Sequence, residues 1–243
     1  MITSYAYTNV GGREVNEDSC IVLERDNQYC FVLCDGLGGH GQGEVASGMV
    51  TEVFKNCFDA GINNPETFIG ETLEIAQNML ISEQIAQNAP NEMKTTATVV
   101  LIDSDNIYRG YVGDSRIYTF AKNKVKERTL DHSVPQMLVL AREIKEKDIR
   151  NHPDRNRLLK VMGIEWERPQ YKIEDTISTK DCQAFLLCSD GFWELIDEKQ
   201  MCKLLKHSKT VQEWVDSMAE IVQKNGEGKN MDNNTAIGIW VNN

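Results

Sequence analysis

The chain has 243 residues, 41% of them hydrophobic, enough for one large domain or two small ones and too apolar for a disordered tail. Its 37 acidic residues outnumber 26 basic ones, and the formal net charge of -11 argues against binding DNA or RNA, whose phosphates need a basic footprint. There is no basic start followed by an apolar run and no apolar stretch long enough to cross a bilayer. Cys20, Cys30, Cys34, Cys57, Cys182, Cys188 and Cys202 form no Cys-x-x-Cys pair, and several lie within apolar runs. A cytoplasmic chain with reduced thiols is expected.

In chain order, the first strand is expected at 2–8 and the second at 28–34, running directly into Asp35-Gly36. Past a glycine-rich loop, Ala46, Met49, Val50, Val53, Phe54 and Cys57 make the apolar stripe of a first helix. A second helix begins at the cap Asn64 with Pro65 in its first turn and buries Ile69, Leu73, Ala76 and Leu80. Strands at 96–103, 106–113 and 115–121 follow, with Asp103–Asn106 and Lys122–Lys124 as hairpin loops. Residues 133–156 are polar and mixed in charge, which fits a helical insertion or mobile flap. Strands at 171–178 and 183–189 precede a helix at about 198–206 capped by Asp197. The capping box Thr210-x-x-Glu213 opens the last helix, which buries Val211, Trp214, Val215, Met218 and Val222. A final strand at 235–241 alternates, with Ile237, Ile239 and Val241 on one face. Helix pairs between groups of antiparallel strands suggest sheets covered on their outer faces, and no linker divides the chain, so residues 1–243 read as one domain.

The chemistry lies where strands end. Asn16-Glu17-Asp18, Asp35-Gly36, Gly113-Asp114-Ser115, Ser189-Asp190-Gly191 and Asp232-Asn233 each put a carboxylate beside a strand terminus, most of them next to glycine. An apolar strand ending in Asp-Gly holds the carboxylate at the edge of the core, and glycine allows a turn that brings a carbonyl to the same point. Carboxylates, carbonyls and water are the ligands of Mg²⁺ and Mn²⁺. A single Asp-Gly pair is more often an ordinary turn, but five such places in one chain favour cation binding, because carboxylates packed without a cation repel one another. Arg13 is placed to clamp a phosphate through two N–H groups.

Other phosphatase chemistries fit less well. No cysteine is followed six positions later by arginine, which excludes a cysteine-based phosphatase. Asp103-x-Asp105 after the apolar run Thr98–Ile102 resembles the nucleophile motif of haloacid-dehalogenase-like phosphatases, but a strand resumes at Ile107, so a polar hairpin turn is expected. A catalytically dead phosphoprotein-binding module should have lost metal carboxylates, whereas Asp35, Asp190 and Asp232 are all present.

Arg13-x-x-Asn16-Glu17-Asp18, Asp35-Gly36-x-Gly38-Gly39-His40, Gly43-Glu44-x-Ala46-Ser47, Thr95-Thr96-Ala97, Val112-Gly113-Asp114-Ser115-Arg116, Asp131-His132-Ser133, Ser189-Asp190-Gly191 and Asp232-Asn233-x-Thr235 occur in a family's order. From about residue 5 to 240 the chain resembles the PPM family of metal-dependent serine/threonine protein phosphatases, also called protein phosphatase 2C, in its bacterial type. The resemblance implies an α+β, four-layer α-β-β-α sandwich: two central antiparallel sheets flanked by helix pairs. It implies that Asp35 bridges two Mn²⁺ or Mg²⁺ ions, with Glu17 and the Gly36 carbonyl on one, Asp190 and Asp232 on the other, and Asp18 close by. Asp114, with Asp190, matches a third metal site, and Arg13 holds the substrate phosphate. The implied reaction is attack of a metal-bridging hydroxide on the phosphorus of phosphoserine or phosphothreonine in proteins, opposing a serine/threonine kinase. The implied enzyme is a monomer, engaging neither nucleic acid nor membrane, with a variable flap at about 133–157. Leu37 stands where some members have a histidine proposed as general acid, and Lys94 where glycine is frequent. His132 is expected to hold a strand end near the site, His40 to make structural hydrogen bonds, and His152 and His207 to face solvent.

Overall fold

Strands that show no alternation in sequence are covered on both faces. In β3 (Gln28–Asp35), Cys30, Val32 and Cys34 point one way, while Phe31 and Leu33 point the other, and all five are fully buried. The computed structural model describes residues 1–38, 41–90 and 92–241. It places β1 (Ile2–Asn9), β11 (Asn234–Val241), β10 (Ala184–Cys188), β6 (Arg116–Ala121) and β7 (Lys124–Arg128) in one sheet, in that order. The second sheet runs β2 (Asp18–Arg25), β3, β4 (Ala97–Asp103), β5 (Asn106–Val112) and β8 (Lys172–Ile173), with β9 (Ile177–Ser178) also on β5. All pairings are antiparallel.

Three apolar layers follow from that alternation. Between the sheets, Phe31, Leu33, Val100, Ile102, Ile107 and Tyr111 meet Ile117, Phe185, Leu187, Ile237, Ile239 and Val241. The outer face of the second sheet packs against α1 (Gly43–Ala60) and α2 (Pro65–Ala86) through Val50, Phe54, Phe58, Leu73 and Leu80. The outer face of the first packs Phe120, Leu186 and Ala236 against α5 (Glu198–His207) and α6 (Val211–Gly226) through Met201, Leu205, Trp214 and Met218. The arrangement is the expected α-β-β-α sandwich.

The expected helices form with their caps. Asn64 accepts from the Glu66 amide at 3.1 Å, Asp197 from Gln200 at 2.8 Å and Thr210 from Glu213 at 3.1 Å. The reciprocal bond of the last cap goes elsewhere: Glu213 accepts from the Lys209 amide at 2.7 Å, one residue before the cap. The expected strand at 171–178 is interrupted, because the buried Arg109 takes the Asp175 carbonyl at 3.0 Å and its own carbonyl accepts from the Glu174 amide at 2.9 Å. Two strands escape the sequence reading. β7 is a charged edge strand, Lys-Val-Lys-Glu-Arg, and β2 is an edge strand whose Val22 is exposed.

The polar segment after Ser133 folds into α3 (Val134–Leu140) and a 3₁₀ turn at Glu146–Asn151. It is tethered rather than free. Ile149 is buried, and Arg150 donates to the carbonyls of Trp193 and Ile196 at 3.1 and 3.2 Å and to Glu198 at 2.8 Å.

Candidate metal centre

Antiparallel pairing brings the carboxylates to one end of both sheets. Asp18 opens β2, Asp35 closes β3, and the two are cross-strand partners. In the other sheet Cys188 pairs with Ala236 and with Arg116, so Asp190 just beyond β10, Asp232 just before β11 and Asp114 just before β6 share the same edge. α4 (Asp190–Trp193), a single turn, starts at Asp190 itself.

Hydrogen bonds lock the two sheet edges together. Ser189 donates to Asp18 Oδ2 at 2.9 Å, and the Asn233 side chain accepts from the Glu17 amide at 2.8 Å. Asn233 also donates to the carbonyls of Val10 and Val15 at 2.8 and 3.0 Å, pinning the loop that carries Arg13. Thr96 Oγ1 accepts from the Asp35 amide at 3.0 Å. Ser189, Asn233 and Thr96 carry no charge, so apart from the family motifs that contain them the sequence marks them only by their place beside an aspartate or at a strand start.

Glycine leaves the space into which Glu17 turns. A Cβ on Gly38 would lie 1.7 Å from Glu17 Oε1, and the Gly38 amide instead donates to Glu17 Oε2 at 3.2 Å. Across the site, a Cβ on Gly191 would sit 2.1 Å from the Asn233 carbonyl oxygen. The Gly36 amide bonds the Glu17 carbonyl at 3.1 Å and the Leu37 amide bonds the Lys94 carbonyl at 2.8 Å. His40, the expected hydrogen-bonding histidine, lies outside the described residues.

The electrostatics are those of carboxylates withdrawn from water and facing one another. Burial pushes Asp18 up to about 7, offset by the nearby Thr235 and Ser189 hydroxyls and reinforced by the charges of Asp190 and Asp232. Burial and then the Asp232 charge raise Asp190 to about 6. Asp35 is held well above the usual carboxylate range by burial, then by Asp18, Asp190, Asp114 and Asp232. Asp114 is raised by burial, then by Asp190 and Asp131, and Glu17 by burial. Asp18 Oδ1 is buried with no hydrogen-bond partner. An orphaned carboxylate oxygen among crowded carboxylates fits a hard divalent cation. Among the described residues no three His, Cys, Asp or Glu side chains close into a ready-made cage. The carboxylates point at protein partners instead: Asp232 at Arg13 at 2.8 Å, Glu17 at Gly38, and Asp35 at Asp190.

Arg13 and Asp232 stand exposed at a cleft of about 200 Å³ that also contains Asp190, Arg155 and Asn156. A larger hollow of about 650 Å³ lies between α2 and residues 165–169 and contains none of the clustered aspartates, so size does not mark this site. Behind the cleft, the buried Arg116 is held by Asp131 through two bonds of 2.8 and 2.7 Å. It lies 3.4 Å over the Trp193 ring, whose N–H donates to the Asp114 carbonyl at 3.1 Å. His132 takes the expected strand-end position: its Nδ1 accepts from the Gly113 amide at 3.2 Å, its ring stacks on Tyr111, and burial lowers it to about 4. His207 is exposed and His152 half-buried.

Asp103 and Asp105 do not join the cluster. β4 carries the chain away from Asp35 for seven residues, roughly 20 Å at the rise of a strand, into the expected polar hairpin turn at Asp103–Asn106. Asp105 there pairs with exposed Lys180 at 3.4 Å. The described cysteines are all free thiols, as expected.

The sequence profile of protein phosphatase 2C matches residues 8–235. A serine/threonine phosphatase, stp, of Listeria monocytogenes serotype 4b (strain F2365) is 30% identical over 210 residues, covering 84% of this chain and 82% of that protein. Among solved structures, the serine/threonine phosphatase Stp1 of Staphylococcus aureus superposes with a TM-score of 0.90 at 28% identity, over 100% of this chain and 96% of the other. The catalytic domain of the phosphatase PstP, solved with two manganese ions, shares the fold with a TM-score of 0.80 at 21% identity, over 98% of this chain and 97% of the other. Nearly the whole chain is covered by that profile, and the carboxylate edge described above lies within it: the chain belongs to the protein phosphatase 2C family.

Proposed function

We propose that the chain removes phosphate from phosphoserine and phosphothreonine in proteins, opposing a serine/threonine kinase, at a centre where Glu17, Asp18, Asp35, the Gly36 carbonyl, Asp190 and Asp232 hold two Mn²⁺ or Mg²⁺ ions. The observation that carries this reading is the convergence of carboxylates from both sheets around the unpartnered Asp18 Oδ1, beside an exposed arginine. Asp114, raised by burial and then by the Asp190 charge, would join Asp190 in holding a third cation. Cations bound there neutralise the carboxylates, activate water and polarise the phosphoryl oxygens.

The chain's own groups do the rest. Arg13 uses one nitrogen on Asp232 and presents its remaining N–H groups to the phosphate oxygens. Ser189 and Asn233 hold Asp18 and Glu17 in place across the two sheets. Leu37 supplies no proton, so no side chain at that position serves as general acid. Residues 133–157, tethered through Arg150, form the variable flap beside the cleft, to which Arg155 and Asn156 contribute.

The test is hydrolysis of p-nitrophenyl phosphate and a phosphothreonine peptide with Mn²⁺ and with EDTA, beside Asp35→Asn. Turnover that needs both metal and Asp35 is expected. Equal turnover with EDTA, or by the variant at saturating Mn²⁺, overturns the reading.

A further inference from the structure

The cleft at the carboxylates continues outward. Gly226, Lys229 and Met231 line both the cleft of about 200 Å³ containing Asp190, Asp232 and Arg13 and a second hollow of about 410 Å³ over Gly11 and Gly12. The two hollows adjoin along these residues and together form a trough, with the clustered aspartates on the side of the smaller one.

The loop between α6 and Asp232 forms one wall of this trough, and its backbone is fixed. The Lys229 amide bonds the Gly226 carbonyl at 3.0 Å, Met231 bonds Lys229 at 2.9 Å and Gly12 bonds Met231 at 2.8 Å. Asn225 ties the preceding turn to the Leu195 carbonyl at 2.8 Å. An exposed side chain on such a loop is presented from a constant position.

The trough's cations differ in what they already hold. Arg13 is on Asp232 at 2.8 Å and Arg155 on Glu194 at 3.2 Å. Lys224 and Lys229 have no ion-pair partner among the described residues. Lys224 sits in the last turn of α6, where a cation complements the helix's negative end, and that explains it without a ligand. Lys229 lies beyond the helix, lines both hollows and has only Glu227 as an acid on its outer side. On a chain of net charge -11, an anionic peptide is repelled at long range, so a lysine beside the reacting phosphate acts locally, within the screening length of about 8–10 Å.

We propose that Lys229 is a specificity-determining residue that binds an anionic side chain, a carboxylate or a second phosphate, close to the phosphorylated residue of the substrate. The inference rests on the phosphoprotein phosphatase reading and adds the substrate class: serine or threonine phosphosites in anionic surroundings.

The experiment compares kcat/KM with Mn²⁺ for phosphothreonine peptides with neutral flanks, with aspartate flanks and with a second phosphoserine, alongside p-nitrophenyl phosphate. The unaltered enzyme is expected to favour the anionic peptides by about 3- to 5-fold, the scale of one exposed charge contact, with the preference shrinking at high salt. Lys229→Glu should abolish or reverse the preference. Lys206→Glu, an equal change of net charge at an exposed lysine of α5 outside the trough, should keep it. Equal gains on the aspartate and doubly phosphorylated peptides define the ligand as any anion, and a gain on one alone defines that group. No preference in the unaltered enzyme, an unchanged ratio in Lys229→Glu, or equal loss in Lys206→Glu overturns the assignment. Failure to hydrolyse any of the substrates with metal is a different result, which removes the phosphatase reading and this inference with it.

Discussion

Replacing Asp35 with asparagine should abolish turnover and, without metal, make the protein more stable. Asp35 is half-buried at the end of β3, among the clustered carboxylates, and is raised by desolvation and then by Asp18, Asp190, Asp114 and Asp232. The scale comes from its neighbours. Asp18 stands at about 7 and Asp190 at about 6, against about 3.9 in an unfolded chain. At 1.36 kcal/mol per pKa unit, ionising them at about pH 8 costs the folded state roughly 4 and 3 kcal/mol. The two interact, so the figures do not add. Part of each is burial, which the substitution leaves, and part is mutual repulsion, which it relieves. A gain of about 1–3 kcal/mol is expected, or roughly 2–10 °C in Tm for a chain of this size.

The sign depends on pH. A carboxylate whose folded pKa is raised keeps its proton in the native state after the unfolded chain has lost it. Its destabilisation therefore begins above about pH 4 and is complete above the folded value, near 6 for Asp190 and 7 for Asp18. Urea unfolding in EDTA should show Asp35→Asn more stable at about pH 8, with the advantage nearly gone at about pH 3.5, where the carboxyls are protonated in the folded and the unfolded chain alike. Mn²⁺ at a hundred times its Kd should stabilise the unaltered protein by about 2.7 kcal/mol and the variant by much less. If the variant in EDTA is less stable than the parent by the same amount at both pH values, the carboxylates are not repelling one another and the cluster is not built for cations.

Arg13→Ala should raise KM for a phosphopeptide while leaving Mn²⁺ affinity nearly unchanged, as measured by calorimetry and steady-state kinetics; a larger loss of metal affinity than of KM would place Arg13 in support of Asp232 instead. Asp131→Asn leaves the fully buried Arg116 guanidinium without its two-bond partner and should cost about 3–5 kcal/mol in urea unfolding, whereas Arg116→Met with Asp131→Leu, which removes both charges, should cost less. His132 is lowered to about 4 by burial, then by Lys160, so the unfolded chain binds its proton first as pH falls below about 6.5. Between about pH 7 and 5 that linkage removes roughly 2 kcal/mol of stability, and His132→Gln, with an acceptor for the Gly113 amide but no titration, should lose correspondingly less.

How much of this was legible depended on whether a residue's neighbours were close in sequence. The caps Asn64, Asp197 and Thr210 are read within a few residues and stand where expected. The carboxylates were visible because strand-Asp-Gly is a local pattern, and antiparallel pairing then brings them to one edge. β7 was missed because an exposed edge strand needs no apolar alternation, and the strand at 171–178 was overestimated because Arg109, more than sixty residues earlier, takes its backbone. Arg116, which composition would place on the surface, is buried because Asp131, Tyr118 and the Trp193 ring satisfy it together. A sequence without pair information shows none of these partnerships.

The bonds that hold the site also explain why it sits between the sheets and not on one of them. Asp18 and Asp35 belong to one sheet, Asp190 and Asp232 to the ends of strands in the other, and the fold already joins the two through the Ser189–Asp18 and Asn233–Glu17 hydrogen bonds. A cation held by both sets, as proposed, would add a third join at the edge where repulsion between carboxylates works against sheet packing. Cation binding there would therefore add to the stability of the sheet packing, by linkage between binding and folding. Ser189→Ala is where the two separate most cleanly: it removes a neutral hydroxyl, leaves every carboxylate in place, and takes from Asp18 Oδ2 the bond that Ser189 donates. Its metal-free form should lose about 1–3 kcal/mol, the cost of an unmade buried hydrogen bond, and saturating Mn²⁺ should recover part of that loss by giving Asp18 a new partner. An equal deficit with and without metal would show that Asp18 does not face the cation.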